Sequence, residues 1–191
     1  MHQYKGKLIV HTGSMFSGKT SSLEKEIKRF AIAGYSTVAF KPAIDTRSKD
    51  ERIVTHDNTS FLGIKVDDIY QIREYINKND VDVIGIDEVQ FLGGEINDII
   101  NEIESFLNDG KTVVVAGLDM DYSAKPFEIV KELMPRADYL NKHHAVCTRC
   151  GSDAWVSKRK TNSDKRIVIG ATEEYEPLCR RCYNEMMKKE K

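Results

Sequence analysis

Between a short β-rich run, Lys7 to Thr12, and an amphipathic stretch, Ser17 to Ala33, the chain reads Gly13-Ser14-Met15-Phe16-Ser17-Gly18-Lys19-Thr20. This fits G-x-x-x-x-G-K-[ST] without a mismatch, and it constrains the fold because the pattern functions only at a strand-to-helix turn. Its glycines let the backbone wrap so that successive N–H groups face phosphate oxygens. The positive end of the following helix adds to that field. Lys19 is placed to reach the β- and γ-phosphates of a nucleoside triphosphate, and the Thr20 hydroxyl to ligate Mg²⁺. A chance glycine-rich turn is the competing explanation, and the strand-then-helix setting argues against it.

The rest of the pattern builds outward from this turn. Leu23, Ile27 and Phe30 share one helical face, which ends near Gly34. Thr37 to Lys41 reads as a second strand stopped by Pro42, so the opening is a βαβ unit and the sheet should be parallel. Residues 42–66 are polar and irregular, with brief strand-like pieces at Arg52 to Val54 and Ile64 to Val66. A helix at 67–78 and the strand Val81 to Ile86 follow. Ile96, Ile99, Ile100, Ile103, Phe106 and Leu107 recur at helical spacing, which predicts an amphipathic helix over 94–109 closed by Gly110. Thr112 to Ala116, a short helix near 127–134 stopped by Pro135, and Asp138 to Leu140 complete the series. The expected core is a P-loop (RecA-like) α/β domain over 1–142, with about five parallel strands flanked by helices.

Composition narrows the functional classes. With 191 residues, 40% hydrophobic and 31% charged, the chain can bury one full-sized core and carry a small appendage, which argues against a disordered protein. A formal net charge of −1 supplies no overall attraction to nucleic acid or an anionic membrane. No cationic stretch leads into an apolar segment near the start, and no apolar run is long enough to span a bilayer. The sequence thus reads as cytoplasmic, with neither nucleic acid nor membrane as a partner.

Asp87-Glu88 follows the apolar run Val81 to Ile86 directly. A carboxylate at that strand end is the Walker-B arrangement, reaching Mg²⁺ beside the phosphate loop. Glu88 then stands where a general base could accept a proton from an attacking hydroxyl or water. A solvated turn is the structural alternative. Asn77-Lys78-Asn79-Asp80 matches a guanine-reading pattern, but it ends a helix ahead of the Walker-B strand and reads as a polar helix terminus.

All four cysteines lie late, as Cys147-x-x-Cys150 and Cys179-x-x-Cys182 with 28 residues between the pairs. Two such knuckles can close tetrahedrally on Zn²⁺, and with no spare ligand position the metal would be structural. A redox dithiol pair or unligated thiols are the other readings. The gap suggests a long hairpin with arms at Ala154 to Lys158 and Arg166 to Ile169 and a tip at Lys160 to Lys165. His143 and His144 read as exposed polar residues. The second region, 143–191, is therefore a small zinc-binding β-ribbon domain.

The GSMFSGKT loop, Asp87-Glu88-x-Gln90-Phe91, Gly117-Leu118-Asp119 and the paired cysteines, taken in order, resemble the type II (cellular-type) thymidine kinase family over about nine-tenths of the chain. That resemblance implies transfer of the γ-phosphate of ATP to the 5′-hydroxyl of thymidine, giving thymidine monophosphate. It implies Glu88 as the catalytic base. Gly13, Ser14, Met15, Phe16, Ser17, Gly18, Lys19 and Thr20, with Asp87, Glu88, Val89 and Gln90, would hold ATP and Mg²⁺. Asp45-Thr46-Arg47 matches a segment near the transferring phosphates, making Arg47 the implied charge stabiliser, and His56-Asp57 match as well. Met15, Phe91, Leu118, Tyr122 and Phe127 would wall the thymidine pocket, for which flat apolar surfaces suit the base.

The zinc-held hairpin would form a lasso over the nucleoside, with backbone at Val168, Ile169 and Gly170 on the base edge, Ser157 beside the methyl and Tyr175 over the sugar. The family has threonine where Ser157 stands and commonly phenylalanine where Tyr122 stands. Each aromatic has ordinary core packing as its alternative role. The resemblance also implies a homotetramer and feedback by thymidine triphosphate (dTTP). A rival of another class is a zinc-ribbon NTPase acting on nucleic acid through Lys158-Arg159-Lys160 and Lys165-Arg166.

Overall fold

Apolar strands alternating with amphipathic segments can bury both sheet faces only by placing helices on each side. The computed structural model, which describes residues 5–44, 52–54, 60–160 and 173–189, has this arrangement. In chain order, β1 (Leu8–Gly13) leads to α1 (Lys19–Ile32) and β2 (Thr37–Pro42). Next come β3 (Arg52–Val54), β4 (Ser60–Leu62) and β5 (Ile64–Val66), then α2 (Ile69–Lys78) and β6 (Val83–Ile86). After a 3₁₀ turn at Val89–Phe91 follow α3 (Ile96–Asn108), β7 (Thr112–Gly117), α4 (Glu128–Leu133) and β8 (Tyr139–His143). The chain closes with β9 (Val156–Arg159), β10 (Tyr175–Leu178) and α5 (Arg180–Lys189).

Six strands form the main sheet in the order β5-β2-β6-β7-β1-β8, every pairing parallel. One more strand joins than the sequence pattern counted. Ile64 to Val66 pairs with Phe40 to Pro42 at the sheet edge, and Pro42 is itself the last residue of β2. Arg52 to Val54 pairs instead with Ser60 to Leu62 in a separate two-stranded ladder.

Strand alternation divides the core. Leu8, Val10, Val113 and Val115 face one side with α2, α3 and α4, burying Ile72, Ile99, Ile103, Phe106 and Leu133. Ile9, Val83, Val114 and Ala116 face the other, against Leu23, Ile27 and Phe30 of α1. These three α1 residues recur at three- to four-residue spacing, so a single stripe is enough to dock the helix. The expected helix over 94–109 forms as α3. The polar run after Ile76 ends α2, where the Asn79 side-chain amide donates to the Tyr75 carbonyl at 2.8 Å.

A third cluster lies outside the sheet. Cys147, Val156, Leu178, Cys179, Cys182 and Tyr183 pack together, with Trp155, Met186 and Met187 against them. β9 pairs antiparallel with β10, Arg159 opposite Tyr175 and Val156 opposite Leu178. The first hairpin arm therefore lies where the sequence placed it. The second expected arm and most of the expected tip lie outside the described residues, and the described partner strand is β10. α5 was not foreseen, because its charged residues hide the short apolar stripe of Cys182, Tyr183, Met186 and Met187. No helix among the described residues is long and apolar enough to cross a membrane.

Candidate active site

All main-sheet strands run the same way, so the ends of β1, β6 and β7 deliver their following residues to one edge. After β1, the loop turns at Gly13, whose φ is +135°. A Cβ there would stand 2.1 Å from the His143 carbonyl oxygen, so only glycine lets β1 and β8 approach this closely. Phe16 adopts the left-handed φ of +65°. Lys19 is buried and donates to the Ser14 carbonyl at 2.8 Å, while the Ser17 hydroxyl donates to the same oxygen at 2.8 Å. The Lys19 ammonium is thereby folded back over its own loop.

Across the end of β7, the Thr20 hydroxyl donates to both Asp87 carboxylate oxygens, at 3.1 and 3.2 Å. The two groups that the sequence assigned to one cation thus meet directly, although 67 residues separate them. These are hard oxygen donors of the kind Mg²⁺ takes.

Glu88 is buried and sits at φ 47°, ψ 43°, a left-handed conformation that costs a non-glycine residue about 1–2 kcal/mol. Strain of this kind persists where the surroundings over-determine it. Here the restraint is visible. The Gln90 side-chain amide donates to the Glu88 carboxylate. The Gln90 amide oxygen in turn accepts from the Leu118 backbone N–H at 3.0 Å. Gln90 therefore fixes Glu88 to the end of β7. A Cβ on Gly117 would come within 2.8 Å of both the Gln90 amide oxygen and a Val89 methyl, which explains a glycine at that strand end. The adjoining Asp119 is buried, with the Lys142 ammonium 3.0 Å from its carboxylate.

The residues expected around a nucleoside fall into three local groups. Phe91 and Phe127 meet edge to face with centroids 6.2 Å apart, and Leu118 packs on the same cluster. Met15 is buried, and its backbone N–H donates to the Ser157 hydroxyl at 2.7 Å, tying the phosphate loop to β9. Tyr122 and Tyr175 both carry the Arg159 guanidinium, 3.9 and 5.7 Å from their ring centres. Arg47, His56, Asp57, Val168, Ile169 and Gly170 lie outside the described residues.

Sequence reasoning missed or misread four side chains. In sequence Lys158 and Arg159 look like part of a solvated basic strip, but both are buried. Lys158 donates to the Met187 sulfur at 3.3 Å. His143, expected to be exposed, is half-buried and bonded to His11, nitrogen to nitrogen, at 2.9 Å. His11 itself drew no notice as part of an apolar strand. Burial, and then the neighbouring His143, push the His11 imidazole down to about 4. His144 is exposed as expected and contacts the Ala154 carbonyl at 3.1 Å.

Cys147, Cys150, Cys179 and Cys182 place their sulfurs within 4.8 Å of one another. Hydrogen bonding with Ser152 and Cys179 holds the Cys150 thiol down at about 6, whereas burial and the three neighbouring sulfurs push Cys182 up to about 12. Four sulfurs this close cannot all ionise without a cation among them. Their number and softness fit Zn²⁺, with Zn–S bonds of about 2.3 Å.

A family model described as thymidine kinase matches residues 6–183. The thymidine kinase of Bacteroides thetaiotaomicron is 41% identical over 179 residues, covering 94% of this chain and 87% of the relative. That of Bacteroides fragilis (strain YCH46) is 39% identical over 187 residues, covering 98% and 92%. The Rhodothermus sp. (strain ITI 518) thymidine kinase is 40% identical over 178 residues, covering 93% and 81%. In fold alone, the chain is similar to the crystal structure of the flagellar accessory protein FlaH from Methanocaldococcus jannaschii. That likeness has a TM-score of 0.50 and 13% identity, over 78% of this chain and 75% of the other.

Proposed function

The chain belongs to the thymidine kinase family, and from that premise we propose how its own residues move the γ-phosphate of ATP to the 5′-hydroxyl of thymidine. The observation that carries the reading is the meeting of Thr20, Asp87 and Glu88 at one sheet edge, with Glu88 anchored through Gln90. ATP lies along residues 13–20, its phosphates facing the loop N–H groups and Lys19. The thymidine O5′ attacks the γ-phosphorus, the bond to the β,γ-bridging oxygen breaks, and ADP leaves. The hydroxyl proton goes to the Glu88 carboxylate. Lys19 and Arg47 stabilise the charge spread over the transferring group. Thr20 and Asp87 would hold Mg²⁺, which when bound neutralises charge on the phosphate oxygens. Val89 and Gln90 complete that rim.

Met15, Phe91, Leu118, Tyr122 and Phe127 wall the thymidine pocket, and Ser157, Val168, Ile169, Gly170 and Tyr175 close it from the hairpin side. The division of labour follows domains 1–142 and 143–191, the second held by structural Zn²⁺ on the four cysteines. Excluding water from the closed site limits wasteful ATP hydrolysis. The enzyme works in the cytoplasm as a homotetramer under dTTP feedback.

The nucleic-acid reading loses ground because Lys158 and Arg159, two cations of the strip it needed, are buried. ATP labelled on its γ-phosphate, incubated with thymidine and separately with DNA, tests the proposal. Labelled thymidine monophosphate is expected from the first and no DNA-stimulated turnover from the second. Label released only as free phosphate would overturn it.

A further inference from the structure

Arg159 belongs to no motif and stands inside a run, Lys158-Arg159-Lys160, that reads as solvated charge. The fold treats it differently. Its residue is only 3% exposed. Burying a guanidinium is costly unless the surroundings replace its hydration. Here two aromatic rings take part in that replacement. The charge lies 3.9 Å from the centre of the Tyr122 ring and 5.7 Å from that of Tyr175, and one terminal nitrogen donates to the Tyr175 hydroxyl at 3.3 Å. A flat, weakly hydrated cation suits a stack of this kind better than an ammonium does.

The three residues come from different parts of the chain. Arg159 and Tyr175 are directly opposite each other in the β9–β10 ladder, so their side chains share one face. Tyr122 stands on the loop after β7, within a turn made rigid by Asp121. That carboxylate accepts from the Ser123 N–H at 2.9 Å, the Ser123 hydroxyl at 2.7 Å and the Lys125 N–H at 3.0 Å. Met120 and Ala124, from the same turn, pack against the cysteine-bearing cluster. The guanidinium therefore joins a turn of the phosphate-transfer sheet to the cysteine-held hairpin, at the two tyrosines assigned above to the nucleoside.

We infer that Arg159 is a positioning residue for the acceptor nucleoside: it fixes Tyr122 and Tyr175 as one wall, and so sets the affinity for thymidine without touching the reacting phosphate. This rests on the thymidine-pocket reading. Its effect should fall on KM for thymidine, with far smaller changes in kcat and in KM for ATP.

A double-mutant cycle tests it. Arg159→Met and Tyr122→Ala are each expected to raise KM for thymidine by about tenfold. The double variant should show no more than Tyr122→Ala alone, because with that ring gone Arg159 has no wall left to fix. Zinc content and the melting temperature monitor the fold. Should Arg159→Met fail to hold zinc, Arg159→Lys carries the test, since it keeps the charge but loses the planar fork. A rise in KM of at least about threefold is then expected. Additive effects in the cycle, or an unmoved KM in a folded Arg159 variant, would overturn the inference while leaving thymidine phosphorylation intact. A wild-type chain inert towards thymidine would instead overturn the reading beneath it.

Discussion

Lowering the pH from about 7.5 to about 5 sets the unfolded chain's His11 against the folded one. Unfolded, the imidazole takes up a proton near its ordinary value of 6.5; folded, burial and the adjacent His143 delay that to about 4. The unfolded state therefore binds the proton first, so this stability is complete above about pH 6.5 and is lost as the pH falls toward 4. The structure gives the reason the folded ring resists. His11 is 4% exposed, one nitrogen is bonded to His143, and the other has no hydrogen-bond partner among the described residues.

Integrating between the two values, the loss from His11 is about 2 kcal/mol by about pH 5. For a chain of this length that corresponds to roughly 4–8 °C in melting temperature. His143, held low by burial and then by the Lys19 ammonium, adds in the same direction. The assay is thermal melting of the wild type and His11→Leu at both pH values. Zinc loss and carboxylate titration are common to the two proteins, so the informative quantity is the difference between their pH-induced drops. The variant should lose several degrees less than the wild type. Equal drops would refute the reasoning, because they would mean that His11 titrates freely in the fold.

Replacing Glu88 by Gln should keep ATP binding while kcat falls by about 10²–10⁴-fold, the range for a lost general base. A variant retaining more than about a tenth of wild-type kcat excludes Glu88 from that role. Gly117→Ala should displace Gln90, because the added methyl would come within 2.8 Å of its amide oxygen. We expect kcat to fall by at least about tenfold with ATP affinity kept, measured by steady-state turnover and equilibrium binding. Metal analysis of purified protein should give one zinc per chain, and exchanging Cys147 for Ser should lower that occupancy; an unchanged value would rule out the four-thiolate site.

Local pattern sufficed wherever the physics is local. The phosphate loop is a contiguous motif at one strand-to-helix turn, and the α1 stripe of Leu23, Ile27 and Phe30 and the α3 stripe through Phe106 are periodic signals, each within a single element. The two cysteine knuckles needed only their spacing to announce a cluster. By contrast, β5 could join the main sheet only because β2 offered an open edge, a fact about a neighbour and not about Ile64 to Val66. α5 escaped notice because a short apolar stripe among charges becomes a docking face only once the cysteine cluster exists. The bond between Thr20 and Asp87 was foreseeable as a shared role but not as a distance.

Burial of charge was the least legible property. Nothing in Lys158-Arg159-Lys160 distinguishes an arginine headed for an aromatic stack from two lysines, and nothing in Val10-His11-Thr12 marks a histidine whose partner lies 132 residues away. Chain order alone announced the phosphate loop, the alternating core and each cysteine pair, because each depends on near neighbours along the backbone. Tertiary structure alone decided which polar groups left water, how Gln90 holds Glu88, and where Arg159 stands, because desolvation and partnership are set by residues brought together from distant strands.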